Sequence, residues 1–319
     1  MLRTVIIGIG LLLGAVRTVA AAEIVKVAVP ERGEWNTSFT QLGLQQGFFQ
    51  QQGLVVEIVH VANESSLEKA LISGDADVAV AARFPDILAA WINGAPIKVI
   101  SPESTGASDI FWFSRTGGPI RSMADLHAQP VGYGEPASLS FFVLTALLKQ
   151  AGINDARPVP TGTADNGIPM VFGAELAASW GGPLSAAKDL LAGEVSLIAR
   201  GNDSPLVRNQ TMRVNVANAK FLARHRADVL GFLEAYKKSV DWAYSTPVAL
   251  QAYAKLSDQS VEFAKYIVKE FASKESNQID EIKGEDRVLA EAIASKRLPS
   301  ALTHDDIKGA YDLVLKSGP

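Results

Sequence analysis

The chain has 319 residues, a formal net charge of −4 and no cysteine, and 48% of its residues are hydrophobic. The lack of cysteine excludes disulfides, thiolate nucleophiles and cysteine-ligated metals. A mildly acidic chain without a basic cluster also argues against a nucleic-acid partner.

The first 22 residues have the pattern of a cleaved secretory signal. Arg3 precedes a short apolar run over residues 5–13, and small residues end the segment at Ala22. The alternative is a membrane anchor, but the apolar run is too short for a bilayer of roughly 30 Å and Arg17 interrupts it. We predict cleavage after Ala22, which changes the net charge to −6 because Arg3 and Arg17 are removed. Without a cysteine for lipid attachment, the expected location is the periplasm of a two-membrane bacterium.

Strands alternate with helices in the next part of the chain. Apolar alternation predicts strands over 24–29, 54–59, 78–81 and 97–100, with helices over 37–52, from Ser65 to Gly74 and from Pro85 to Gly94. Ser65 and Glu68 form a predicted capping box at the start of the second helix. Short turns between such elements indicate parallel sheets with helices on both faces, an α/β fold.

A second unit of the same kind follows. We predict strands over 110–113 and 130–133, a helical turn over 123–126 and a helix over 138–150. Residues 173–193 loosely repeat the order of residues 74–94: glycine, acidic residue, apolar strand, proline, helix, glycine. This similarity predicts two related lobes. A returning strand over 212–216 precedes helices over 221–244, from Pro247, after a cap at Asp258, near 285–296 and near 304–316, all expected to pack on the first lobe.

Four stretches carry recurring motifs in a fixed order. Residues 44–57 contain G-hydrophobic-F, a polar run and G-L-x-V; residues 67–79 contain A-L-x-x-G-x-x-D; residues 120–126 contain I-x-S-x-x-D-L; and residues 214–244 contain a strand followed by a long helix. Each motif is weak by itself, but their order is specific. Together they resemble the sulfonate-, taurine-, nitrate- and thiamine-precursor-binding proteins of ABC transporters over residues 24 to about 256.

The resemblance implies a type II periplasmic binding fold with two lobes. Each lobe has a mainly parallel sheet with helices on both faces, the ligand cleft lies between the lobes, and extra helices follow at the C-terminus. We expect lobe 1 to comprise residues 23–108 and 214–319, and lobe 2 residues 109–213, with crossovers near 106–111 and 210–214. The chain departs from the family where a Trp-acidic-Pro motif is replaced by Trp180-Gly181-Gly182-Pro183, which puts a basic ligand group in doubt.

Candidate ligand-binding residues follow from the position of the strand ends. In open α/β sheets, ligands bind beyond the carboxyl ends of the strands, which selects the loops at 31–37, 82–84, 101–109, 134–140 and 179–182. Within these loops the predicted ligand-binding residues are Trp35, Asn36, Arg83, Phe84, Ala137, Ser138, Ser140 and Trp180.

Each of these residues also has a structural alternative. The turn before Ser138 offers amides and hydroxyls to an anion at a helix start, but Ser138 is equally suited to ordinary capping. Arg83 is suited to gripping a carboxylate or sulfonate with two hydrogen bonds, or to pairing with Asp86 or Asp75. Aromatic side chains at 35 and 180 suit the wall of a pocket, whereas Phe84 is suited to packing.

The sequence therefore predicts a periplasmic solute-binding component of an ABC importer, taking a small anionic organic solute of sulfonate or carboxylate type. The expected partners are this ligand and an inner-membrane ABC permease, with no nucleic acid; we expect a monomer without cofactor or metal. No G-x-S-x-G, G-x-G-x-x-G or P-loop motif occurs, and the four histidines are scattered, so no catalytic residue is predicted. The alternatives are a ligand-sensing module for a membrane receptor and, on the same fold, an enzyme of pyrimidine-synthase type.

Overall fold

The computed structural model of the protein describes residues 23–30, 33–136, 138–299 and 302–315. The predicted signal peptide, residues 1–22, and the predicted ligand residue Ala137 lie outside the described residues. The strands are β1 (Glu23–Pro30), β2 (Leu54–Val61), β3 (Val78–Arg83), β4 (Ile97–Thr105), β5 (Phe111–Arg115), β6 (Pro130–Tyr133), β7 (Arg157–Pro160), β8 (Ser179–Gly181), β9 (Val195–Arg200) and β10 (Thr211–Asn218).

Helices connect these strands and form the C-terminal part of the chain. They are α1 (Phe39–Gln45), α2 (Phe48–Gln51), α3 (Glu64–Ser73), α4 (Phe84–Ile92), α5 (Leu139–Gln150), α6 (Ala164–Phe172), α7 (Pro183–Ala192), α8 (Pro205–Arg208), α9 (Ala219–Arg224), α10 (Arg226–Ser245), α11 (Pro247–Leu256), α12 (Val261–Phe271), α13 (Glu285–Ala294) and α14 (His304–Ile307). Among the described residues, no helix has the length and apolar character needed to cross a membrane.

The first sheet has five strands in the order β2-β1-β3-β10-β4. β1 runs parallel to β2 and β3, whereas β10 returns antiparallel between β3 and β4. Val25, Val27 and Val29 of β1 are almost completely buried, because helices cover both faces of this sheet. The sheet is thus mixed, with the predicted returning strand as its antiparallel member.

The remaining strands form a second, smaller layer of the same design. β5 pairs antiparallel with β8 and β9, and β6 pairs parallel with β7. A parallel bridge from Val131 to Ala178 places β6 beside the start of β8. The resulting order β7-β6-β8-β5-β9 repeats the arrangement of the first sheet, with the antiparallel strand fourth. The predicted two-lobed α/β fold is confirmed, and both sheets are mixed.

The C-terminal helices divide between the two layers. Helix α10 packs on the first sheet through buried residues that include Phe232 and Tyr236. Helix α12 instead buries Phe263, Ile267 and Phe271 in a cluster with residues of β5, α6 and α7. The expectation that all late helices pack on the first lobe therefore holds only in part for α12, because Ala264 belongs to the first-layer core while its larger apolar residues face the second layer.

Several helix ends differ from their predicted positions. Asn63 caps α3 by accepting the amide of Ser66, so the predicted Ser65–Glu68 capping box is not used. Asp258 has a left-handed φ of 55° and precedes the actual cap of α12, Ser260. The predicted helix over 37–52 is divided into α1 and α2 by Gly47 at φ 70°, since a left-handed residue cannot continue a right-handed helix.

The chain crosses between the two layers at residues 106–110 and 201–210. These segments touch, because the amide of Gly106 donates to the Gln210 carbonyl at 2.8 Å. Asn202 Oδ1 accepts the Ala107 amide at 2.8 Å and ties the two crossings together a second time. The paired crossings bring the carboxyl end of β4 next to the start of β10, where the site described below lies.

Candidate functional site

A small polar cavity lies at the junction of the two layers. We call it the interlobe cavity. Its polar lining comes from the loop after β1, the end of β4 and the following crossing, β10, and the segment after α12: Glu34, Trp35, Asn36, Ser104, Ser108, Asp109, Arg213, Ser276 and Asn277. Pro183, Ile267 and Phe271 supply apolar lining from the second layer and α12. Segments that are distant in sequence therefore converge on one polar cavity.

Trp35 forms one wall of the interlobe cavity and is also part of the core. Its indole is 2% exposed and donates to the Tyr244 hydroxyl at 2.7 Å. Tyr253 packs edge-on against the indole with ring centroids 4.9 Å apart. Asn277 donates to the same Tyr244 hydroxyl at 2.9 Å. Burial raises the pKa of Tyr244 well above its usual value, so this hydroxyl stays protonated and serves as a fixed junction of the wall.

The charged groups of the lining are two carboxylates and one guanidinium. Arg213 donates to Asp109 at 2.8 Å, and this pair is only partly exposed. The pair joins β10 to the segment that enters the second layer. With Glu34 included, the described lining carries one more negative than positive charge.

Glu103 lies immediately behind this lining. Its carboxyl group is buried, and neither oxygen forms a hydrogen bond of normal geometry with any described residue. Burial raises the pKa of Glu103 to about 7, although Arg213 lowers it and the approach of Ser104 and Asn36 does so further. A carboxyl group in this state changes charge near neutral pH.

The two layers touch across the mouth of the interlobe cavity. A Cβ atom at Gly182 would lie 3.6 Å from Glu34 Oε1, and one at Gly33 would lie 3.4 Å from Leu184. The first-layer loop after β1 therefore rests on the start of α7. Where the family motif has an acidic residue, this chain has Trp180-Gly181-Gly182-Pro183. The Glu34 carboxylate of the opposite layer lies beside this stretch.

The predicted residues of the second layer form a separate group at the ends of β6 and β8. Ser140 Oγ accepts the Gly134 amide at 2.9 Å and lies 2.9 Å from Ser138 Oγ. Ser138 also caps α5 through the Phe141 amide. Trp180 donates to Thr161 Oγ1 at 2.9 Å. Both serines thus have partners within their own turn, which is the capping alternative.

Arg83 and Phe84 are placed in the core rather than in the lining. Arg83 is 1% exposed, donates to Asp86 at 3.0 Å, and forms a second ion pair with Glu291. The partnership with Asp86 is the structural alternative that the sequence left open, and Glu291 is an added partner from α13. Phe84 is buried and packs edge-on against Tyr311. Neither side chain meets the interlobe cavity.

Of the predicted residues that the structure describes, only Trp35 and Asn36 line the interlobe cavity. Two of the loops chosen from the strand-end rule, 31–37 and 101–109, do meet there. Sequence reasoning missed Glu103, Asp109 and Arg213 as individual residues. A usable signal was present, because Glu103 closely follows the apolar residues Val99 and Ile100 of a predicted strand, where a carboxylate needs a special reason. No signal pointed to Arg213 before its neighbours were known.

A second, wider groove lies between β9 and α12. Its most polar side chain, Arg200, is already held by the carboxylate and carbonyl of Glu270 and lies 4.8 Å above the Phe271 ring. The interlobe cavity is the better candidate, because it combines convergent strand ends with a buried carboxyl group that lacks a partner.

Solved structures with the same fold include transport proteins and one enzyme. The periplasmic aliphatic sulphonate binding protein of Escherichia coli aligns with a TM-score of 0.75 and 17% identity over 93% of this chain and 94% of its own. The ligand-binding component of an ABC-type import system from Staphylococcus aureus aligns with a TM-score of 0.70 and 14% identity over 89% and 95%. The desulfurization enzyme DszB aligns with 0.65 and 11% over 89% and 95%. At these identities the similarity establishes the periplasmic binding protein fold.

No curated protein matches the sequence. A family model described as "NMT1/THI5 like" matches residues 36–250, a range that contains β2 to α10 and the crossings that line the interlobe cavity. The chain therefore belongs to the NMT1/THI5-like family.

Proposed function

We propose that the protein is the periplasmic solute-binding component of an ABC importer and holds a small organic solute in the interlobe cavity. The observation that carries this proposal is a polar cavity at the junction of two α/β layers, reached by the ends of β1 and β4 and by β10. The structural neighbours named as a periplasmic sulphonate binder and an import-system component support it.

In this proposal the two lobes close around the solute. Lobe 1 comprises residues 23–108 and 214–319, and lobe 2 residues 109–213, except that all of β10, which starts at Thr211, belongs to the first sheet. Helix α12 packs between the two lobes. The solute shifts the equilibrium only to the extent that it prefers the closed form. A monomeric protein in the closed form would then be recognised by an inner-membrane ABC permease after removal of residues 1–22.

The proposal does not include catalysis. The neighbours with the higher TM-scores are named as binding proteins, whereas the enzyme DszB aligns less well. The described lining contains carboxylates, hydroxyls, amides and a guanidinium, all of which can form hydrogen bonds with a bound solute.

The two features that predicted an anionic ligand, Arg83 and the serines at the start of α5, both have partners within the protein. Arg83 is held by Asp86 and Glu291, and the serines at the start of α5 bond within their own turn. We therefore propose solute capture without relying on an anionic ligand of sulfonate or carboxylate type.

A thermal-shift screen of the purified protein tests solute capture. The screen would cover sulfonates, carboxylates, nitrate, amines, amidines and pyrimidines, each at millimolar concentration. We expect one class to raise the melting temperature by several degrees, because a solute that binds only the folded state stabilises it. Replacing Asn36 with Leu should abolish this rise, and replacing the exposed Gln50 on α2 with Leu should not. No rise with any class, and no small molecule released on denaturation, would contradict the proposal.

A further inference from the structure

Glu103 is a buried carboxyl group just behind the interlobe cavity. It is the seventh residue of β4 and is 1% exposed. Both carboxyl oxygens are shielded from water and lack a hydrogen-bonding partner among the described residues. Arg83, at the end of β3, differs in that two of its guanidinium nitrogens are paired with carboxylates, those of Asp86 and Glu291.

Two residues of the cavity lining also lie next to Glu103. Asn36 and Ser104 both line the cavity and both approach the Glu103 carboxyl group. The Ser104 hydroxyl is itself buried without a partner. Oxygen atoms without a well-formed hydrogen bond therefore lie at and just behind the cavity floor, where a bound molecule can supply hydrogen-bond donors.

Charged and titratable groups from several elements face Glu103. They are Arg213 on β10, Asp109 in the crossing after β4, and the hydroxyls of Tyr236 and Tyr244 on α10. Arg213 is already paired with Asp109. A second negative charge, Glu34, lies in the cavity lining. An anion placed here would meet carboxylates, whereas a cation would be attracted by them.

We propose that Glu103 selects the ligand, and that the ligand presents a protonated nitrogen, as in a small organic amine or amidine, to the floor of the interlobe cavity. The inference rests on the proposed solute-binding function and specifies its substrate class. Ammonium and amidinium groups carry only N–H donors, which match a set of unpaired oxygens. The Trp35 wall fits an apolar or aromatic ligand body.

Binding of such a cation should depend on pH in a defined direction. Burial holds the pKa of Glu103 near 7, so below neutral pH the group is protonated and loses its attraction for a cation. The affinity should rise roughly tenfold between pH 5.5 and pH 7.5 and then level off.

Matched probes of opposite charge test the inference. Benzamidine and benzylamine remain protonated from pH 5.5 to 7.5, and benzoate and benzenesulfonate carry the same ring with a negative charge. Isothermal titration of the purified protein should detect binding of one or both cations and no binding of the anions. E103Q should weaken cation binding at least tenfold at pH 7.5 and remove its pH dependence. E57Q, the same change on exposed β2, should leave both unchanged.

Two results would overturn the inference. The first is binding of the anions, or of any compound from the screen, with an affinity that E103Q leaves unchanged; solute capture would then stand and the cation preference would not. The second is failure of both cations to bind. Circular dichroism and the melting temperature of E103Q establish that the variant is folded, so a loss of binding cannot be attributed to unfolding.

Discussion

The protonation of Glu103 links the stability of the protein to pH. Burial raises its pKa from an ordinary value of 4.5 to about 7, so the folded state binds this proton more tightly than the unfolded chain does. The stability that the proton provides is present in full below pH 4.5 and is lost as the pH rises through 7. At about 1.4 kcal/mol per pH unit, the difference between the two pKa values corresponds to about 3 kcal/mol.

The E103Q variant should remove this dependence. Glutamine has the shape of the protonated acid and cannot ionise, so E103Q and the natural protein should have similar free energies of unfolding at pH 4.5. At pH 8 the variant should be more stable by about 3 kcal/mol. Urea denaturation at both pH values measures this difference, with E57Q as the control on an exposed carboxylate. A constant difference between E103Q and the natural protein at all pH values would contradict the assignment.

At the scale of secondary structure, burial decides which elements can be predicted from sequence. β1, β3 and β10 are predictable because their apolar side chains face helices on both sides of the sheet. β7, Arg157–Pro160, was missed because two prolines and an exposed surface give it no strand pattern. Its position at the edge of the order β6-β7 explains why prolines are tolerated there.

The functional residues were harder to predict because their roles depend on distant partners. The strand-end rule selected the loops that contain Trp35 and Glu103, but the side chain of Arg83 also follows a strand end. Only the position of Glu291, 208 residues later, shows that Arg83 is a core ion pair. Local sequence therefore located the cavity and could not distinguish its lining from the adjacent core.

The first crossing segment depends on a glycine whose replacement can be tested. Gly106 has a φ of 78°, and a Cβ atom there would lie 2.4 Å from Asn202 Oδ1, the group that ties the two crossings together. G106A should therefore lose this hydrogen bond as well as the favourable backbone conformation, and should destabilise the protein by roughly 2–4 kcal/mol.

Gly53 provides a matched control for the same substitution. Its φ of 76° is nearly identical, and a Cβ atom there would meet nothing within 4 Å. G53A should cost only the backbone term, about 1 kcal/mol. Equal losses in the two variants, measured by urea denaturation, would show that Asn202 does not constrain the crossing.

At the scale of the whole molecule, the two layers repeat one strand order and meet at few polar contacts. The Arg213–Asp109 pair is one of these, and it joins β10 of the first sheet to the segment that enters the second layer. Because the pair is partly exposed, its net contribution to holding the layers together is about 1 kcal/mol. That energy is small for folding, but it changes an equilibrium between open and closed forms about fivefold.

D109N should therefore shift the two lobes toward an open arrangement without unfolding either. The chain has no cysteine, so cysteines introduced at the exposed Lys149 and Lys220 give two unique sites for fluorescent labels, one on each layer. Energy transfer between the labels should show a longer mean distance in D109N, and the distance should shorten again when a screened ligand is added. D155N removes the carboxylate from the exposed His127–Asp155 contact and should change nothing. If D109N and the natural protein gave the same distances with and without ligand, the pair would not control closure, and the hinge would have to be sought in the Asn202 contact between the crossings.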